Sequence, residues 1–116
     1  MKKIYYLSTC DTCKRIISDL GLKEKGFVFQ DIKTEKITSE QLEEIKNLAG
    51  SYEALFSRVA RKYKELGLSK QNLSETDYKN YILEEYTFLK RPVICIENKV
   101  FVGNTKSVIE AVKQVL

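Results

Sequence analysis

The chain of 116 residues contains no histidine, and this absence restricts its chemistry more than any other feature of the composition. A Ser-His-Asp triad, a Cys-His pair and a histidine-ligated metal site are excluded within the chain. Acid–base chemistry must therefore use Cys, Lys, Tyr, Asp or Glu, or a group of a substrate or partner. With three cysteines, the chain also lacks the four Cys and His ligands of a structural zinc site, so we expect no bound metal.

Long apolar runs and strong charge imbalance are also missing. No apolar run is long enough to cross a membrane, and the run over 4–7 is half the length of a signal core, so Leu-Ser-Thr-Cys is not read as a lipoprotein signal. The formal net charge of +4 is scattered along the chain, which does not indicate direct nucleic-acid binding. We therefore expect a cytoplasmic protein, in which a Cys-x-x-Cys pair is catalytic, redox-sensing or metal-binding.

A strand–helix–strand unit is predicted at the start of the chain. A strand over 3–7 is followed by a helix in which Ile16, Ile17 and Leu20 form a buried stripe. A second strand follows over 27–29. Such a unit normally makes a right-handed crossover between parallel strands.

The middle of the chain reads as helical over about 38–90. One helix begins with the capping-box spacing of Thr38 and Gln41, and another begins near Ser74. The side chains expected to share a helix face are Leu42, Ile45 and Leu48 in the first, and Tyr78, Tyr81, Ile82 and Tyr86 in the second.

The last third predicts an antiparallel hairpin, with strands over 93–96 and 100–103. Asn104 or Thr105 then caps a final helix. The whole order is βαβ, a helical insertion and ββα, which is the thioredoxin topology. We therefore predict one α/β domain over 1–116, with a four-stranded mixed sheet and a thioredoxin-like fold. The inward face of its last helix is expected to comprise Val108, Ile109, Val112 and Leu116.

The motif Cys10-Asp11-Thr12-Cys13 is predicted at the junction of the first strand and the first helix. Unsatisfied N–H groups and the positive dipole end at a helix N-terminus stabilise a thiolate. Cys13 lies one helical turn later, close enough to attack a sulfur adduct on Cys10. The pattern favours dithiol chemistry with a nucleophile and a resolving thiol, and structural zinc is the alternative. Cys95, within an apolar strand, is interpreted as an inert buried residue.

Pro92 is the only proline in the chain, and it precedes a predicted strand. In thioredoxin-like folds the corresponding proline is cis and faces the cysteine motif. This position suggests that Arg91 points its guanidinium at Cys10, where it stabilises the thiolate and binds an oxyanion or carboxylate. The alternatives are an ordinary strand start at Pro92 and an ordinary solvated side chain at Arg91.

Five segments of the chain together resemble the ArsC family: residues 5–15, 53–56, 63–68, 89–94 and the closing helix. This family contains glutaredoxin-dependent arsenate reductases, Spx-type redox regulators of RNA polymerase and YffB-like thiol reductases. The resemblance covers essentially the whole chain. It implies no bound cofactor, with glutathione, glutaredoxin or thioredoxin as the external reductant.

The resemblance assigns Cys10 as the nucleophilic cysteine and Arg91 as the arginine next to the cis-proline. Arsenate reductases of this kind usually have Ser three residues after the nucleophile, whereas this chain has Cys13, which resembles the Spx type. The catalytic residues predicted on this basis are Cys10, Cys13 and Arg91.

Arsenate reductases of the family use two further arginines for the oxyanion. One of these positions aligns with Ser57, next to Arg58, and the other aligns with Gly103 or Asn104. Of the family's three arginines, Arg91 is therefore the one with a certain counterpart in this chain. The residues assigned to substrate binding are Thr12, Lys14, Arg58 and Pro92.

Two functions follow from the sequence. The first is a small cytoplasmic thiol-dependent oxidoreductase that reduces an arsenate-like oxyanion or a disulfide, with glutathione or a thiol reductant protein as its partner. The alternative is an Spx-type redox-sensing regulator that binds the C-terminal domain of the RNA polymerase α subunit. In that case Cys10 and Cys13 form the switch, and Gly50 lies near the glycine of the family's recognition surface.

Overall fold

Four strands form one mixed sheet in the computed structural model, which describes all residues from Met1 to Leu116. The sheet has the order β2-β1-β3-β4, with β1 and β2 parallel and the other two neighbouring pairs antiparallel. This arrangement confirms the predicted four-stranded mixed sheet. The strands are β1 (Lys2–Tyr6), β2 (Val28–Asp31), β3 (Val93–Ile96) and β4 (Lys99–Val102).

Five α-helices accompany the sheet, and short 3-10 turns connect several of them. None of the helices has the length and apolar character needed to span a membrane. The chain divides into two compact units, one of residues 1–35 and 91–116 and one of residues 36–90. The helices are α1 (Asp11–Leu20), α2 (Ser39–Ala49), α3 (Arg61–Glu65), α4 (Glu75–Glu84) and α5 (Lys106–Val115).

The first unit contains the sheet, α1 and α5 around one apolar core. The predicted stripe of α1 is buried, and the helix ends at Gly21, whose φ of 61° is left-handed. All four residues of β3 are buried, because β3 is an inner strand. The core side chains are Ile4, Ile16, Ile17, Leu20, Leu22, Phe27, Ile94, Ile96 and Val112.

The face of α5 differs from the prediction at its end. Thr105 is the N-cap, and its hydroxyl accepts a hydrogen bond from the N–H of Val108. Val112 is fully buried, but Leu116 is exposed, and Val115 packs against the core instead. The prediction for Leu116 was wrong because the helix ends at Val115, so the apolar periodicity does not continue to the next residue.

The second unit contains α2, α3 and α4. Both α2 and α4 begin with a capping box, at Thr38 and Gln41 and at Ser74 and Asp77 respectively. Its core centres on Phe56, whose ring contacts other aromatic rings of the same unit. These rings belong to Tyr63, Tyr78 and Phe88.

Two of the predicted helix faces in this unit are shorter than expected. Leu48 is 42% exposed, so the buried face of α2 ends at Ile45. Tyr86 lies outside α4, because that helix ends at Glu84 and a 3-10 turn follows. The prediction of a single domain over 1–116 stays a prediction.

Candidate active site

Cys10 is the N-cap residue of α1, with an extended backbone conformation (φ −93°, ψ 114°). Its N–H donates to the carbonyl of Leu7 at 3.0 Å, and its carbonyl accepts from the N–H of Lys14 at 3.1 Å. The thiol therefore stands at the positive end of the helix, beside N–H groups that have no partner within the helix.

The pKa of the Cys10 thiol is lowered from its ordinary value by the groups around it. Burial of the half-buried side chain raises the pKa, but four groups that favour the thiolate outweigh this effect. They are the N–H groups of Thr12 and Cys13 and the side chains of Cys13 and Arg91. Cys10 is therefore the more nucleophilic thiol near neutral pH.

Cys13 has the opposite environment. Its side chain is fully buried, and this burial raises the pKa of its thiol to about 11. The neighbouring Cys10 side chain raises the pKa further, whereas the Arg91 charge favours ionisation. Both cysteines are free thiols in this structure. The pair thus combines one thiol poised to ionise with one that holds its proton.

Arg91 and Pro92 precede β3 and complete the site. The peptide bond between them is cis, as predicted. The Arg91 carbonyl accepts from the Asn104 side-chain amide at 3.3 Å, and the Pro92 carbonyl accepts from the Gly103 N–H at 2.9 Å. These bonds join the segment to the residues that follow β4. The Arg91 side chain forms a hydrogen bond with the Cys10 thiol, so Arg91 is not an ordinary solvated residue.

The third cysteine, Cys95, lies in the middle of β3 and is buried as predicted. It stands opposite Lys3 of β1 and Val100 of β4 in the strand register. It forms no disulfide, and its burial is that of a small apolar residue.

The residues assigned to substrate binding lie in different places. Thr12 is half-buried in the first turn of α1 and contributes its N–H to the Cys10 site, while Lys14 is exposed on the same helix. Pro92 is buried beside Arg91. The role of these residues in binding stays a prediction.

Arg58 belongs to the second unit, and its guanidinium already has partners there. It donates to the Glu53 carboxylate at 2.7 Å and to the Tyr78 hydroxyl at 3.0 Å. The hydrogen bond to Glu53 raises the pKa of Arg58 above its ordinary value. An oxyanion at Arg58 would therefore compete with the Glu53 carboxylate.

One element of the site was missed by the sequence analysis. Asp31, the last residue of β2, accepts hydrogen bonds from Ser8, two residues before the nucleophile. The signal was present in the sequence, because the carboxyl ends of two parallel strands meet at one edge of a sheet. Asp31 at the end of one strand and Ser8 just after the other are therefore neighbours.

The fold and the thiol pair define a thioredoxin-like protein with a Cys-x-x-Cys site at the start of its first helix. The sequence profile of the ArsC family matches residues 5–112, so the chain belongs to the ArsC family. No curated protein matches the chain by sequence.

Solved structures share this fold over nearly their whole length. An arsenate reductase from Vibrio cholerae superposes with a TM-score of 0.80 at 18% identity, covering 99% of this chain and 97% of that one. The protein SACOL0876 from Staphylococcus aureus COL superposes with a TM-score of 0.73 at 26% identity, covering 96% of this chain and 97% of that one. An arsenate reductase (ArsC) related protein from Brucella melitensis superposes with a TM-score of 0.73 at 25% identity, covering 95% of this chain and 92% of that one. Family and fold support a thiol-dependent oxidoreductase.

Proposed function

We propose that the protein is a thiol-dependent oxidoreductase in which Cys10 attacks the substrate and Cys13 resolves the adduct. One observation carries the proposal: two thiols in one helical turn have opposite pKa shifts, with Arg91 beside the thiol whose pKa is lowered. A nucleophile needs the thiolate, whereas a resolving thiol needs it only after the adduct has formed.

With a disulfide substrate, the Cys10 thiolate attacks one sulfur and forms a mixed disulfide, and the other sulfur leaves as a thiolate. Cys13 then loses its proton to solvent and attacks the Cys10 sulfur. The second substrate sulfur leaves, and a Cys10–Cys13 disulfide remains. Two electrons pass from the protein to the substrate, and an external thiol reductant returns them.

Arsenate fits the same scheme with one change. The Cys10 sulfur forms a bond to arsenic and displaces one hydroxyl group. That hydroxyl group takes up a proton and leaves as water. Attack of Cys13 on the Cys10 sulfur then releases arsenite, so that As(V) is reduced to As(III) and the dithiol becomes a disulfide. Arg91 and the N-terminus of α1 would balance the charge of the oxyanion.

The proposal includes no bound cofactor. Its reductant is glutathione, glutaredoxin or thioredoxin, which is consistent with a reducing, cytoplasmic setting for a Cys-x-x-Cys pair.

Paired Cys10→Ser and Cys13→Ser variants test the scheme with arsenate and with a glutathione mixed disulfide as substrates. We expect Cys10→Ser to abolish both reactions. Cys13→Ser should form the adduct on Cys10 and accumulate it, which intact-protein mass spectrometry detects. Wild-type activity in the Cys10→Ser variant would overturn the proposal.

A second function is favoured by one feature, the Cys rather than Ser at position 13, which suits a reversible disulfide switch. In that case the protein is a regulator of the Spx type, and its partner is the C-terminal domain of the RNA polymerase α subunit. Pull-down of that domain with oxidised and with reduced protein separates the two functions. If neither the oxidised nor the reduced protein bound that domain, the regulatory function would be ruled out.

A further inference from the structure

A cleft of about 420 Å³ opens beside α1 in the first unit. This volume is within the range of sites that hold small organic molecules, and is larger than a tetrahedral oxyanion of about five heavy atoms requires. The residues that carry the inference are Tyr6, Ser8, Lys14, Ile17, Lys23 and Phe29.

The cleft has an aromatic and aliphatic wall. The rings of Tyr6 and Phe29 meet edge to face, with their centroids 5.7 Å apart, and both pack against the core while remaining partly exposed. Ile17 of α1 adds an aliphatic surface. Because rings packed in this way are held in place, they offer an apolar group a preformed surface.

The rim of the cleft is positively charged. Lys14 and Lys23 are both exposed, and neither takes part in any of the four salt bridges of the structure. Glu24 supplies the single carboxylate in the lining. The nearby Asp31 carboxylate is already held by hydrogen bonds from Ser8 and Lys33. Among the residues that line the cleft, two ammonium groups stand against one carboxylate, and this balance favours an anionic ligand.

The cleft borders the loop that leads to the nucleophile. Ser8 lines it and lies two residues before Cys10, and Lys14 lines it and donates its N–H to the Cys10 carbonyl. We infer that this cleft binds the body of an organic disulfide substrate that is both apolar and anionic, such as an aromatic carboxylate, while Cys10 attacks its sulfur. The inference rests on the proposed function and specifies its substrate class.

Dithiobis(nitrobenzoate), an aromatic disulfide with one carboxylate on each ring, is a direct probe. The Cys10 thiolate attacks one sulfur and releases one nitrothiobenzoate. Cys13 gives up its proton, attacks the Cys10 sulfur and releases the second, so the dithiol is oxidised by two electrons as the reagent is reduced. Dithiodipyridine undergoes the same two steps without the carboxylates.

The experiment compares the rates of the first step with the two reagents at neutral pH and low salt. The measured quantity is the rate with dithiobis(nitrobenzoate) divided by the rate with dithiodipyridine. We expect Lys14→Gln and Lys23→Gln each to lower this ratio by about threefold, and the double variant to lower it by about tenfold. Lys99→Gln, which removes an exposed lysine from β4 at the opposite edge of the sheet, is the matched control and should keep the wild-type ratio.

Binding without reaction is measured separately by titrating the wild-type protein with nitrobenzoate, which has no sulfur, and recording backbone amide spectra. Shifts at Ser8, Ser18 and Phe29 are expected. Shifts elsewhere, or a ratio that no lysine variant changes, would overturn the inference. Failure of the proposed function is different: wild type would then release nitrothiobenzoate no faster than Cys10→Ser, whatever the lysine variants do.

Discussion

The carboxylate of Asp31 holds Ser8 at two points. It accepts a hydrogen bond from the Ser8 N–H at 3.3 Å and another from the Ser8 hydroxyl. It also accepts from the Lys33 N–H at 3.1 Å. The end of β2 is thereby joined to the loop that leads from β1 to Cys10. Together with the hydrogen bond from the Cys10 N–H to the Leu7 carbonyl, this carboxylate is expected to position the nucleophile.

Replacement of Asp31 by Asn should therefore affect both stability and reactivity. The amide oxygen can still accept from the N–H groups of Ser8 and Lys33, but the amide nitrogen cannot accept from the Ser8 hydroxyl. Since the charge of the acceptor is lost as well, we expect the free energy of unfolding to fall by about 1–2 kcal/mol. Removal of a negative charge would by itself favour the Cys10 thiolate, so a slower reaction of Cys10 would indicate lost positioning. Urea denaturation and the rate of thiol alkylation measure the two effects.

Asp19→Asn is the matched control for that variant. Asp19 is exposed on α1, and its replacement removes the same charge without breaking the Ser8 contact. If the two variants had the same free energy of unfolding and the same alkylation rate at Cys10, the loss of charge, and not of the hydrogen bonds, would explain the changes.

The same carboxylate gives the stability a defined pH dependence. Burial raises the pKa of Asp31, but hydrogen bonds from the Ser8 hydroxyl and from the N–H groups of Lys33 and Ser8 outweigh it, so the pKa is lowered. A lowered pKa in the folded state means stabilisation that is complete above the unfolded value of about 4 and is lost as the pH falls through the folded pKa. We expect wild type to lose stability more steeply than Asp31→Asn below about pH 4. Unfolding free energies measured at a series of pH values give the two slopes, and parallel slopes would contradict the prediction.

The two thiols of the motif should differ in their reaction with iodoacetamide. The pKa of Cys10 is lowered and that of Cys13 is raised to about 11, so at neutral pH the alkylating agent should modify Cys10 first. The burial of Cys13 increases the difference. Peptide mass spectrometry after partial alkylation measures the ratio, and comparable modification of both sites would contradict the assignment of nucleophile and resolving thiol.

Arg91 is expected to control the ionisation of Cys10. Replacement by Gln removes a charge that favours the thiolate, and we therefore expect the pKa of Cys10 to rise. Arg91→Lys should give a smaller rise, because it keeps the charge but not the planar guanidinium. Ultraviolet absorbance of the thiolate, titrated in a Cys13→Ser background, reports the pKa of Cys10 without a contribution from the second thiol.

Most of the first unit could be predicted from the sequence because its patterns are local. The stripe of α1, the continuous apolar run of β3 and the Cys-x-x-Cys spacing each occupy a few consecutive residues. The contact between Asp31 and Ser8 could not be read in this way, since these residues are 23 positions apart and meet only through the pairing of β1 with β2. The exposure of Leu48 and Leu116 was missed for a related reason: periodicity indicates a helix face but not where the helix stops packing.

A further long-range contact supports the second unit, between Glu75 at the start of α4 and the turn that precedes Phe56. The Glu75 carboxylate accepts from the N–H of Tyr52 at 2.7 Å and from that of Glu53 at 3.1 Å. Glu75→Ala should lower the free energy of unfolding by about 1–3 kcal/mol, because it leaves two N–H groups without their charged acceptor. Glu84→Ala, at the exposed end of the same helix, is the control and should change it by less than about 0.5 kcal/mol. Urea denaturation of the two variants measures the difference, and an equal loss in both would show that the carboxylate of Glu75 does not support the turn.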